Sequence, residues 1–377
     1  MSCQKICLMS IIASHYRQRV YYEMQRQMGC GFIFGDDDSG IKRMDVSILR
    51  SPIIIRNHYV AGTHWYYQRN LCSLTKGYDV LINDLGIFCL SAWMLMILSK
   101  FRRQRIYHWD HGWYGRETML KKIIKRLYFG LADGSFIYGD RAIELMKNNG
   151  FNTQKLYPIH NSLDYERQLE IRRKIRNSNI YIDHFGNDHP VLIMIGRLNF
   201  RKKLSQLIEA IKLLKDREEI YNVVFVGDGE DRKTLEEMVS QCRLTAQIWF
   251  YGPCYDEKLN AQLLYNADLC VVPGDIGLTA IHSMMFGVPV LTHDYFPNQG
   301  PEFEAIKPGI TGSYFKYNDV RSLSDAITEW FCTHKREREQ IRKSCFDEID
   351  VNWTPQYQID VMRSVIDHES NQCNVNE

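Results

Sequence analysis

Five consecutive apolar residues, Val191–Ile195, run straight into Gly196. A strand apolar at every position is buried on both faces, as in parallel sheets covered by helices; a sheet with one wet face alternates instead. Apolar residues at 207, 208, 211 and 214 follow at the spacing of one face of a helix over residues 204–215. Further strands are expected at residues 223–226, 248–251, 269–272 and 288–291. The first half shows the same alternation. Strands are expected at residues 7–12, 31–34, 80–82, 106–108 and 135–138, and helices over residues 20–28, 85–98 and Met119–Leu131. Two successive blocks of this kind predict an α/β fold of two Rossmann-like βαβ domains facing across a cleft. The chain length of 377 residues agrees, at about 150 residues per domain.

Charged residues crowd into 166–176, and a polar stretch then leads to Pro190. The interdomain linker is expected there, with a first domain over residues 1–185 and a second over 186–352. Forty-seven Lys and Arg stand against forty-five Asp and Glu, a net charge of +2 that argues against nucleic acid as a general partner. The eleven cysteines, from Cys3 to Cys373, include no C-x-x-C pair. They fit reduced thiols in a cytoplasmic protein better than a disulfide framework or a zinc site. Residues 6–12 are apolar after Lys5, but no small-residue cleavage site follows, which argues against a secretory signal. The longest apolar stretch, residues 85–98, is about 14 residues where a membrane span needs roughly 20.

Two segments carry the chemistry. Gly196-Arg197-Leu198-Asn199-Phe200-Arg201-Lys202 lies where a parallel strand ends and a helix begins, the place where open α/β sheets bind ligands. Gly196 permits close backbone approach, Arg197 offers a planar fork of donors and Lys202 a point charge, a set suited to a diphosphate. Gly274-Asp275-Ile276-Gly277-Leu278 is a second strand-to-helix turn, whose free N–H groups suit an anion. Gly227-Asp228-Gly229 opens like a dinucleotide fingerprint, but Arg232 stands where the third glycine belongs. Asp36-Asp37-Asp38 reads as a solvated turn in preference to a cation site, and His108 with His111 lacks the helix a zinc pair would use. His111, in Trp109-Asp110-His111-Gly112-Trp113, follows a first-domain strand and can donate a hydrogen bond to a substrate or shuttle a proton.

These motifs resemble the bacterial retaining glycosyltransferases of family 4, of the polysaccharide-biosynthesis type. The resemblance covers nearly the whole chain and is strongest over residues 191–315. Gly196-Arg197 with Lys202 is similar to the family's diphosphate clamp, and Val226-Gly227-Asp228-Gly229 to its next strand-turn signature. Phe250-Tyr251-Gly252 resembles the segment flanking the nucleobase pocket, and Gly277-Leu278, Gly287-Val288-Pro289-Val290 and Gly309-Ile310-Thr311-Gly312 continue the pattern. His111-Gly112 matches the family's cleft histidine. The family's two glutamates, eight positions apart, are replaced by Gly274 and His282, with Asp275, Glu302 and Glu304 as alternative oxygen ligands. The usual glycine pair after the first strand is replaced by Ser14-His15-Tyr16-Arg17.

The resemblance implies the GT-B fold, with an acceptor-binding first domain and a donor-binding second domain. It also implies a C-terminal helix, about residues 353–370, packing back on the first domain. The implied reaction is metal-independent transfer of a sugar from a nucleotide diphosphate sugar, with retention, to a lipid-linked or polysaccharide acceptor. Arg197, Lys202 and His111 are the expected catalytic residues. Gly196, Gly252, Gly274, Asp275, Ile276, Gly277, Leu278, His282, Glu302 and Glu304 are the expected donor contacts. No resident cofactor is expected. Arg102, Arg103 and Arg105, with Lys121, Lys122, Lys125 and Arg126, beside apolar residues 93–98 add an anionic membrane surface as a partner, at the inner face of the cell membrane. The alternatives are a nucleotide-sugar epimerase of the same architecture and a catalytically silent partner subunit.

Overall fold

The computed structural model describes residues 4–37 and 41–375. It divides into two compact units, one of residues up to Asp164 together with those from Thr354, the other Tyr165–Trp353.

Among the described residues, the first unit holds parallel strands β1 (Ile6–Ser10), β2 (Gly31–Gly35) and β3 (Ile53–Ile55), followed by a small antiparallel pair, β4 (Asn57–Tyr59) and β5 (Tyr66–Gln68). The parallel sheet continues with β6 (Val80–Asp84), β7 (Arg105–Asp110), β8 (Gly134–Ile137) and β9 (Leu156–Pro158), in the order β3-β2-β1-β6-β7-β8-β9. Its central strands are apolar on both faces because both are covered. Ile6, Leu8, Val80 and Ile82 pack with the helix Gln18–Met28, while Cys7, Met9 and Leu81 pack with the helices Leu90–Arg102 and Met119–Leu131. The C-terminal helix Pro355–Val375 joins the first of these layers through Ile359, Met362 and Ile366. Gln358 fixes its start by donating to the His160 carbonyl at 2.7 Å and accepting from Ser162 Oγ at 2.8 Å.

The second unit holds β10 (Val191–Ile195), β11 (Asn222–Val226), β12 (Ile248–Gly252), β13 (Leu269–Val271), β14 (Val290–His293) and β15 (Gly312–Phe315). All pair in parallel, in the order β12-β11-β10-β13-β14-β15. The predicted stripe of Leu207, Ile208, Ile211 and Leu214 lies on the helix Leu204–Asp216, and all four are buried.

Two sequence expectations change. Residues 85–98 are not one helix: Gly86 takes a positive φ of 74°, making a turn that the helix Leu90–Arg102 follows. Residues 165–185, expected in the first domain, belong to the second unit as the helices Tyr165–Lys174 and Ile180–Phe185. Their anchors are long-range. Tyr181 donates to the Leu263 carbonyl at 2.6 Å, Gln168 donates to Glu257 at 2.8 Å and the Ser178 N–H donates to Asn266 at 2.8 Å.

Met362 is wholly buried in the layer beneath β1 and β6, so Met362→Ala is expected to cost roughly 2–5 kcal/mol through lost packing and a residual cavity. Val351, exposed, supplies the control: Val351→Ala is expected to change stability by at most about 0.5 kcal/mol. Urea denaturation of the two variants checks both values.

Candidate functional site

In the second sheet, strands β11 and β12 lie to one side of β10, and β13 to β15 to the other. The carboxyl ends of β10 and β13 therefore flank the topological switch point, where a parallel sheet leaves room for a ligand. Both predicted loops emerge there. The segment from Gly196 to Lys203 is held between two backbones: the Gly196 and Leu198 N–H groups donate to the Val226 and Asp228 carbonyls, each at 2.9 Å. On the other side the Gly274 N–H donates to the Lys202 carbonyl at 2.9 Å and the Asp275 N–H to the Arg201 carbonyl at 3.0 Å.

Approach this close leaves no space for side chains. A Cβ at Gly227 would overlap the Gly196 carbonyl, one at Gly229 the Leu198 carbonyl and one at Gly274 the Arg201 carbonyl. The dinucleotide-like Gly227-Asp228-Gly229 is thereby explained as a packing surface. Gly274 acts through its backbone, and a carboxylate at that position would displace the Arg201–Lys202 strand of loop.

Three successive cations are sorted by this loop. Arg201 is exposed. Lys203 turns away, donating to Tyr317 OH at 2.8 Å and to Asn318. Lys202 folds onto the turn, its Nζ donating to the Asp275 carbonyl at 2.6 Å and the Ile276 carbonyl at 3.0 Å. An ammonium has three donors, so one N–H remains for a ligand. Burial draws the Lys202 pKa below the ordinary lysine value, against the opposing fields of Asp275 and Glu302. Arg197 is exposed and has no ion-pair or hydrogen-bond partner among the described residues. The turn itself is tightly fixed. The Gln299 side chain accepts from the Ile276 N–H at 2.9 Å, Asp275 accepts from the Gly300 N–H at 3.0 Å, and Thr279 donates to the Ile195 carbonyl at 3.0 Å. Gly277 takes φ +52° just before Leu278 and the seven-residue helix Thr279–Met285. The buried Glu302 carboxylate lies over Gly300, beside Gly277. Glu304 stands two residues on in the same 3-10 turn, Pro301–Ala305.

Of the remaining donor candidates, Gly252 ends β12 and its carbonyl accepts from the Gly227 N–H at 2.8 Å. His282 pairs with Glu257 at 2.9 Å, and the same carboxylate oxygen accepts from Gln168 at 2.8 Å. Burial alone would raise the Glu257 pKa, but His282, Gln168 and Asn260 together hold it below the ordinary glutamate value. The structure thus brings Gly196, Lys202, Asp275, Ile276, Gly277 and Glu302 together.

His111 belongs to the other unit. It follows β7 and contacts the Tyr138 ring at 4.8 Å. Its loop is clamped by a cation inside the fold: Lys125 donates to the Gly112 carbonyl at 2.6 Å and to Glu117 at 2.9 Å. Glu117 in turn accepts from the Tyr114 and Gly115 N–H groups, each at 2.9 Å. His108 is a core residue, stacked on Tyr128 at 4.2 Å, with burial lowering its pKa to about 4. Arg17 turns inward and pairs with Asp84 at the carboxyl end of β6, under the rings of Trp109 and Tyr138. Asp36 accepts from the Asn57 N–H at 2.7 Å and Asp37 binds Tyr59, while Asp38 lies outside the described residues.

Sequence reasoning missed Glu257, Gln299 and Arg17–Asp84. Glu257 stands beside the helix cap Asp256 and reads as a favourable first-turn charge, so its partnership with His282 has no local signal. Gln299 lies in a loop with no periodicity.

The chain is similar to known proteins over most of its length. Residues 179–344 match the family "Glycosyl transferases group 1". The chain is 27% identical to the proposed glycosyltransferase EpsD of Bacillus subtilis (strain 168), over 78% of this chain and 77% of EpsD. Among solved structures it resembles Anabaena HepE in complex with UDP, with a TM-score of 0.73 and 14% identity over 97% of this chain and 100% of that one. It also resembles the lipopolysaccharide outer core galactosyltransferase WaaB, with a TM-score of 0.71 and 14% identity over 97% and 99% of the two chains. The fold is GT-B, and the likenesses support a group 1 glycosyltransferase.

Gly274→Ala is expected to force the Arg201–Lys202 backbone away, at a cost of about 1–3 kcal/mol that urea denaturation would read. For Glu257, a folded pKa held below its unfolded value gives stabilisation that is complete above the unfolded pKa and lost as pH falls through the folded one. The stability difference between wild type and Glu257→Gln is therefore expected at neutral pH and to shrink below roughly pH 4.

Proposed function

We propose that this protein transfers a sugar from a nucleotide diphosphate sugar to a lipid-linked or saccharide acceptor with retention of configuration, without a metal ion. The observation that carries the reading is Lys202, held on the carbonyls of Asp275 and Ile276 at the switch point with one N–H still to give.

The barrier in such a transfer lies in breaking the bond to the diphosphate, on which negative charge grows. Preorganised donors aimed at that charge lower the barrier because they need not reorient as it forms. Lys202 meets this condition: its two carbonyl contacts fix the ammonium before any ligand arrives. Arg197, exposed five residues earlier, supplies a mobile fork that closes on the same anion. The N–H groups after Gly277 add a third source of positive potential. His111 is assigned as a contact to the donor sugar near the reacting carbon. The acceptor's proton goes to the departing phosphate, which leaves the bond on the same face. The resemblance to family 4 supports retention, and the match of residues 179–344 to group 1 supports the transferase class.

Loss of one preorganised contact of this kind costs on the order of 10²–10³ in rate. Arg197→Ala and Lys202→Ala are each expected to lose that much transfer activity while melting within a few degrees of wild type. Substrate is found by thermal shift with UDP-, GDP- and dTDP-sugars, because binding to the folded state raises its melting temperature. Near-wild-type turnover by both variants would remove the diphosphate assignment. A nucleotide-sugar shift with no transfer to any lipid-linked or saccharide acceptor would identify a silent partner subunit, and a new sugar formed from the donor alone an epimerase.

A further inference from the structure

The helices Leu90–Arg102 and Met119–Leu131 are apolar on the side turned to solvent as well as on the side packed against the sheet. Met94, Ile97 and Phe101 form one exposed stripe, and Leu120, Ile123 and Leu127 form another. Both follow the i, i+3, i+7 spacing that normally marks a face turned to a core. Phe101 is 82% exposed and Leu120 69%, so these are projecting side chains, not the grazed edges of buried ones. Meanwhile Lys125, on the same helix, is buried against Glu117 beneath the Trp113 and Tyr114 rings. The helices are neighbours, joined by Trp93 against Tyr128 with ring centroids 5.1 Å apart. Cations flank the apolar stripes: Arg103, Lys121 and Arg126 are exposed, and neither helix contains an acidic residue.

We infer that this paired-helix face docks on an anionic lipid bilayer, with the six apolar side chains entering the boundary between headgroups and acyl chains and the cations reaching lipid phosphates. Charge chooses this occupant. A second copy in a two-fold interface would set the same uncompensated cations against one another, whereas an anionic surface neutralises them. Long basic side chains lie along an apolar surface and keep their charge in the headgroup layer, matching their position beside the stripes. Among the described residues no helix is long and apolar enough to cross a membrane, and a face of this kind lies in the plane of the interface. The inference deepens the proposed acceptor class, since an enzyme lying on a leaflet meets lipid-linked acceptors there. It is read by binding alone and so is tested apart from transfer.

The experiment is flotation of the full chain with phosphatidylcholine vesicles, with and without phosphatidylglycerol, at low and high salt. Each cation near an anionic surface raises affinity about five-fold. Binding to the anionic vesicles is therefore expected to exceed neutral binding by at least about ten-fold, and to fall in high salt. Ile97→Glu/Ile123→Glu is expected to abolish it, with an unchanged melting temperature as the folding control. Lys121→Glu/Arg126→Glu is expected to weaken it and to flatten the salt dependence. Equal binding to both vesicle types, or binding that survives Ile97→Glu/Ile123→Glu, overturns the inference. So does a wild-type dimer that the same double variant turns into monomer, which would assign the face to a second copy. A chain that shows no nucleotide-sugar shift yet floats with anionic vesicles would lose the donor reading and keep this one.

Discussion

The segment from Gly196 to Lys203 crosses the carboxyl end of β10 between two other backbones, and the geometry of the second unit's site follows from that threading. On one side it is hydrogen-bonded to residues 226–228, on the other to Gly274 and Asp275. Both contacts depend on missing side chains, at Gly227 and Gly229 on one side and at Gly274 on the other. Neighbouring backbones at this distance satisfy each other's N–H and C=O groups, so the loop needs no water or side-chain partner to stay in place. A loop fixed this way can carry charged side chains at set positions, which a loop held only by solvent cannot.

Charge sorting comes next. Three consecutive cations would repel one another and move together on a free loop. Here Lys203 is drawn off by Tyr317 and Asn318, Arg201 stays in water and Lys202 is committed to two carbonyls of the facing turn. Those carbonyls belong to residues whose N–H groups are themselves engaged, Asp275 by Arg201 and Ile276 by Gln299. The cation therefore reports the position of both loops at once, and any change in either loop moves the charge. The first unit uses a related device. Lys125, anchored to Glu117, holds the Gly112 carbonyl and so sets the loop that carries His111.

Much of this was legible in the sequence, and the limit has a physical cause. Val191–Ile195 and its partners read as parallel strands because their burial on both faces is written residue by residue, and Lys202 stood out because it follows a strand that ends at glycine. What local pattern does not encode is which distant group answers a polar residue. Residues 165–185 have the composition of a linker, yet Gln168, Ser178 and Tyr181 bind partners about a hundred residues or less away in the second unit. The basic residues of the helix Met119–Leu131 are legible in the sequence, but not that Lys125 is among its buried residues and Leu127 among its exposed ones. The glycines of 227–229 open like a dinucleotide fingerprint because a sequence shows a missing side chain without showing which neighbour requires its absence.

The same distinction explains the two positions where the resemblance leads one to expect glutamates. At 274 the carbonyl of Arg201 occupies the space a side chain would need, so glycine there is a condition of the threaded loop and not simply a lost carboxylate. At 282 the histidine is not left to find a ligand alone: it meets Glu257, which Gln168 also holds, so a carboxylate sits next to that position after all, supplied by a different helix. Glu302 does the equivalent near the turn, buried beside Gly277 and opposing the desolvation of Lys202. The two carboxylates near these turns, Glu257 and Glu302, thus come from elements other than the ones that carry positions 274 and 282.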